Sequence, residues 1–155
     1  MKGARVLFLA SWVILFVVLA ATAVFAVESL WIAYTSPQES ITPTYTLNNI
    51  REATGNEEAV KALKGRRATA ATWALGYALL GLMVVLGPYR RGERWAWWAL
   101  LISIGLSQFL SLLRAVMLGT TQGIQTPSVL LALALLALLA AVPRFFRRET
   151  VATVE

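Results

Sequence analysis

The chain has 155 residues, of which 58% are hydrophobic and 14% charged, with a formal net charge of +6. A soluble domain carries about a quarter charged residues, so this balance and a mean hydropathy of +0.66 point away from a water-soluble globule. Cysteine and histidine are both absent, which removes disulfides, Cys/His zinc sites, iron–sulfur clusters and His-ligated haem from the chain's own chemistry.

A membrane-crossing helix needs about 20 mostly apolar residues. Val6 to Val27 is long enough and uncharged, and its apolar character continues through Leu30, Trp31 and Tyr34, which predicts a first span over about 6–34. Lys2 and Arg5, an apolar stretch and then Val24-Phe25-Ala26 resemble a secretory signal peptide with its cleavage site. The apolar run exceeds the usual signal core of about 7–15 residues, so a retained helix is the expectation and cleavage after residue 26 the alternative.

Residues 35–67 form the sizeable polar segment. Ser36-Pro37 and Thr42-Pro43 mark irregular chain. Thr46 to Gly55 reads as one short helix, and Asn56 to Gly65 as a better one. The second has an Asn cap, acids in its first turn, lysines later, a Glu57–Lys61 pair and a closing glycine. Leu47, Ile50, Val60 and Leu63 give the two helices small apolar faces, which predicts a cap over one mouth of a helix bundle.

The second span is predicted over 68–87, ended by Gly87-Pro88. Thr69, Thr72, Gly76 and Leu80 share one face of it and form a candidate packing seam. Trp95, Trp97 and Trp98 follow the polar RRGER stretch, as interfacial aromatics do, and open a third span over 95–118. Thr126 as cap and Pro127 at the first helical position start a fourth span over 126–146. Ala134, Ala137 and Ala141 are its expected seam, and Pro143 is expected to kink or end it. The fold class is therefore an all-α integral membrane protein. It is a four-transmembrane-helix bundle, one membrane domain over 1–155, with a short helical extracytoplasmic loop between helices 1 and 2.

Charge placement gives orientation. Lys2, Arg5, Arg90, Arg91, Arg94, Arg144, Arg147 and Arg148 fall on one side and outnumber Glu93, Glu149 and Glu155 there. On the other side Arg51, Lys61, Lys64, Arg66 and Arg67 are balanced by Glu28, Glu39, Glu52, Glu57 and Glu58. Positive residues near span ends favour the cytoplasm, which puts both termini there, with Arg66-Arg67 the discordant pair. The basic character then reflects orientation and attraction to anionic lipid headgroups rather than nucleic acid.

Span 3 is the polar helix. At 100° per residue, Ser103, Ser107, Ser111 and Arg114 fall within an arc of about 80°, with Gln108 at its edge. Arg114 lies about 28 Å of helix rise beyond Trp95, near the outer edge of a hydrocarbon layer about 30 Å thick. Glu28 reaches a similar level in span 1. Matched depth and opposite charge predict a Glu28–Arg114 pair or shared pocket, with outward snorkelling of Arg114 as the alternative. The candidate ligand-binding residues are thus Ser107, Gln108, Ser111, Arg114 and Glu28, with no catalytic residue, metal ligand or cofactor expected.

Spans 2 to 4 carry no Asp, Glu, His, Cys or Lys. General acid–base chemistry and proton coupling both need a titratable group near the event, so an enzyme and a proton-coupled pump are disfavoured. Length and span count resemble the small multidrug-resistance transporters, although the acid inside their first span has no counterpart here. The expected function is a non-catalytic membrane protein, either an accessory or assembly subunit or a binder of a lipophilic ligand in an outer-leaflet polar pocket. A small oligomeric transporter is the alternative. Expected partners are membrane lipids and a larger membrane complex or a homo-oligomer.

Overall fold

A computed structural model describes residues 2–35, 57–118 and 125–146 of the chain. Apart from Gly92 and Glu93 these residues are helical: α1 spans Lys2–Thr35, α2 Glu57–Val84, α3 Arg94–Leu118 and α4 Gln125–Phe146. A π-helical turn, Val85–Tyr89, extends α2. All four helices are long and apolar enough to cross a membrane. The predicted Thr46–Gly55 helix and the orientation of the termini lie outside what these residues describe.

The boundaries differ from expectation at two glycines. Gly65 was predicted to close a separate loop helix, yet α2 runs through it from Glu57. A glycine closes a helix by turning left-handed, and Gly92 is the one glycine with positive φ among the described residues. Arg66, Arg67 and Ala68 are good helix formers, so Gly65 costs the helix only about 1 kcal/mol and does not stop it. Thr69 Oγ1 donates to the Gly65 carbonyl at 3.0 Å, one turn back.

Gly87-Pro88 likewise does not end α2. Proline lacks an N–H and its ring crowds the carbonyl one α-turn back. Widening to a π-helical turn relieves both and carries the chain on to Arg90 and Arg91. The stop comes at Gly92, with φ +83. There Gly92 N–H donates to Tyr89 O at 2.9 Å and Glu93 N–H to Pro88 O at 3.0 Å, the paired bonds of a Schellman end. The Ala96 N–H donates to Glu93 O at 3.0 Å as α3 begins.

Two compact units emerge. The first comprises Met1–Leu19 and Gly81–Glu155, the second Ala20–Leu80. In the first unit the start of α1, the end of α2, α3 and α4 pack around Phe8, Leu15, Leu19, Val85, Tyr89, Leu100, Ile104, Leu138 and Phe145. Their spacing on α1, with Phe8, Ser11, Leu15 and Leu19 all buried, is the three-and-four step of one helix face. Helices in this unit approach closely at Gly81, where a Cβ would lie 2.8 Å from Leu19 Cδ2. Ala134, Ala137 and Ala141 are all buried, as expected, together with Leu138 and Phe145. Pro143 lies inside α4, which continues through it to Phe146.

The second unit pairs the remainder of α1 with most of α2. Ala26 and Ala33 are buried on α1, and Val60, Ala68, Ala71 and Ala78 on α2. Arg67 Nε donates to Ser29 Oγ at 3.1 Å. The seven-residue steps 26–33 and 71–78 suit shallow left-handed crossing. The seam predicted for α2 was Thr69, Thr72, Gly76 and Leu80. Those residues are exposed instead, and the buried face carries the alanines. Small residues surround α2, so size alone does not choose the face.

Candidate functional site

Four of the five predicted ligand-binding residues lie on α3 in the first unit, and Glu28 lies on α1 in the second. The side chain of Arg114 is outside the described residues, and so is the predicted pairing. Glu28 is exposed. The hydroxyl of Ser103 donates to Leu100 O at 3.4 Å, Ser107 to Ile104 O at 3.1 Å and Ser111 to Ser107 O at 3.0 Å. Each serine thus satisfies its donor within its own helix, the bond such residues make when no outside partner competes.

Their direction is informative. The buried face of α3 is Trp97, Leu100 and Ile104. At 100° per residue, Ser107 and Ser111 fall within about 60° of Ile104, on the same side of the helix. Burial stops there: Ser107 and Gln108 are half-buried and Ser111 exposed. The polar residues therefore continue the core seam of α3 beyond the point where other described residues cover it.

A second cluster was not predicted. It joins Ser11 and Phe8 on α1, Tyr89 at the end of α2 and Phe145 on α4. Ser11, the one buried polar residue besides tyrosine among the described residues, shares a 2.5 Å hydrogen bond with Tyr89 Oη. The Tyr89 ring stacks on Phe8 at 5.7 Å between centroids and tilts against Phe145 at 4.9 Å. One turn along α1, Trp12 Nε1 donates to Val85 O at 3.0 Å, a carbonyl in the π-helical turn.

Arginines surround this cluster. Arg90 lies over the Trp12 ring at 5.6 Å and Arg144 over the Phe8 ring at 5.7 Å. Arg94 Nε donates to Phe145 O at 2.9 Å, where the carbonyls at the C-terminal end of α4 favour a cation. Trp95 and Trp98 are exposed, as interfacial anchors are, but Trp97 departs from that expectation. It is buried, with Nε1 donating to Leu138 O at 2.9 Å and its ring edge-on to Trp98 and Phe146.

Sequence reasoning used these arginines for orientation and missed them as a site, because three distant segments supply them. Ser11 was detectable in principle: with Thr22, it is one of the two hydroxyl residues between Val6 and Val27. No protein family, curated protein or solved structure matches the chain.

Proposed function

We propose that the chain is a non-catalytic multi-pass membrane protein that takes a partner helix or a lipophilic molecule along the distal half of α3. The observation carrying this reading is the α3 seam. Its buried face, Trp97, Leu100 and Ile104, runs on into Ser107 and Gln108, which the described chain covers only partly, and Ser111, which it leaves exposed. Small hydroxyl residues let a second helix approach closely, and the Gln108 amide has a hydrogen-bonding capacity that lipid cannot meet. Apolar side chains that face outward from every helix, such as Val17, Leu80, Ile102, Phe109 and Leu136, support the membrane setting. The serines favour binding over catalysis, since their protons are already given to backbone carbonyls.

Native mass spectrometry of the protein in mild detergent tests this reading. The expected result is a retained hydrophobic molecule, a second chain or a homo-oligomer that is lost in Ser107→Leu/Ser111→Leu while helicity is kept. A bare monomer, an association indifferent to the substitutions, or substrate-dependent flux in vesicles overturns it. Recovery of the chain in the soluble fraction after alkaline washing of membranes overturns the membrane setting itself.

A further inference from the structure

The arginine cluster at the end of the first unit has a geometry suited to one class of ligand. Arg90 and Arg144 set their guanidinium carbons over the Trp12 and Phe8 rings, 5.6 and 5.7 Å from the centroids. An aromatic ring attracts the charge without taking up the guanidinium's five N–H donors as a carboxylate would. Arg94 commits Nε to the Phe145 carbonyl, leaving the two terminal nitrogens. Those N–H groups are the donors that grip a phosphate bidentately.

The charge at this end is not cancelled. Among the described residues the carboxylate nearby is Glu93, and it is occupied. Trp95 Nε1 donates to it at 2.6 Å, and Arg91 stands 3.9 Å away. Arg90, Arg94 and Arg144 are exposed, held by aromatic and backbone contacts rather than by an acid. Their backbones are anchored nearby: buried Tyr89 directly precedes Arg90, buried Phe145 directly follows Arg144 and accepts from Arg94, and a Cβ on Gly92 would lie 3.7 Å from Arg144 Nε. Pinned side chains lose less freedom on binding. Apolar surface adjoins them, since Trp95, Trp98 and Phe146 are partly exposed at the same ends of α3 and α4.

We infer that Arg90, Arg94 and Arg144 bind the phosphate of an anionic phospholipid headgroup, with Trp98 and Phe146 against its acyl chains. The ligand is a lipid rather than a free anion because basic and apolar surface meet there, as in basic pockets at the ends of membrane helices. A headgroup without its own cation suits the site best, since a choline would bring positive charge to three guanidiniums. The inference rests on the membrane setting proposed above and is independent of the α3 seam.

The test uses the full chain in mild detergent, with phosphatidylglycerol and phosphatidylcholine supplied in equal amounts and bound lipid counted by native mass spectrometry. Phosphatidylglycerol is expected to be retained about ten-fold over phosphatidylcholine. Arg90→Gln/Arg94→Gln/Arg144→Gln is expected to lose that preference. Arg66→Gln/Arg67→Gln, on the second unit, is expected to keep it. Circular dichroism checks the triple variant, and Arg144→Gln alone reports if the triple does not fold, with a partial loss expected. Retained preference in the folded triple or in Arg144→Gln, equal loss in the Arg66/Arg67 variant, or stripping of the lipid by millimolar inorganic phosphate overturns the inference. Soluble behaviour on alkaline washing is a separate readout and identifies failure of the membrane setting.

Discussion

A hydroxyl buried between helices can bond across to a neighbour or back to its own backbone, and Ser11 and Tyr89 differ in which routes they have. Serine on a helix reaches a carbonyl one turn back, as Ser103, Ser107 and Ser111 do. The Tyr89 hydroxyl sits at the far end of a ring locked between Phe8 and Phe145 and has no such route. Ser11→Ala should therefore leave a buried hydroxyl unsatisfied and cost about 1–2 kcal/mol. Tyr89→Phe keeps the ring contacts and frees Ser11 to turn back, so its cost should be about 0.5 kcal/mol or less. The double variant should be more stable than Ser11→Ala alone. Thermal unfolding of the three variants in detergent checks the order, and equal losses for both single variants would refute it. Sequence could not expose this pair, because nothing local to residue 11 indicates that residue 89 will lie beside it. The serine stripe of α3 was legible because its members repeat along one helix.

Helices were the most legible scale, since long uncharged apolar runs leave few alternatives. Where sequence misled, local rules had exceptions that depend on neighbours. Gly65 resembles a stop but is followed by helix formers, and Pro88 resembles a break but is absorbed by a π-helical turn. The face of α2 was illegible for another reason: Thr69, Ala71, Thr72, Gly76, Ala78 and Gly81 offer small residues in every direction, and only the approach of a second helix selects among them. The two glycines give this contrast a measurable form. Gly81 has Leu19 side-chain carbons at 2.8 and 3.0 Å from an added Cβ, whereas Gly76 has nothing within 4 Å. Gly81→Val should lose about 1–3 kcal/mol through overpacking. In the Gly81→Val/Leu19→Ala double variant that loss should be smaller, measured against Leu19→Ala alone. Gly76→Ala should gain up to about 1 kcal/mol through helix propensity. Denaturation midpoints for the four variants check this, and a damaging Gly76→Ala would mean that another chain packs on that face.

At the scale of the molecule, the four spans we propose would require the segment before α2 and the turn before α3 to face opposite compartments. The chain has no cysteine, so introduced cysteines report without background. With an impermeant maleimide on intact cells, Lys61→Cys should label, while Gly3→Cys and Arg91→Cys should label only after the membrane is opened. Labelling of Lys61→Cys and Arg91→Cys from one side would break the four-span topology, and complete inversion would mean that Arg66-Arg67, not the terminal arginines, sets orientation. The aromatic cluster also has a consequence for biosynthesis. Its rings come from residues 8, 89 and 145, nearly the full length of the chain. A ribosome delivers them in order, so in the proposed membrane setting the first helix waits in the bilayer until the last has been translated before its contacts close. A nascent chain stopped short of residue 145 cannot complete that junction, and a quality-control protease would have in its absence a marker of unfinished synthesis.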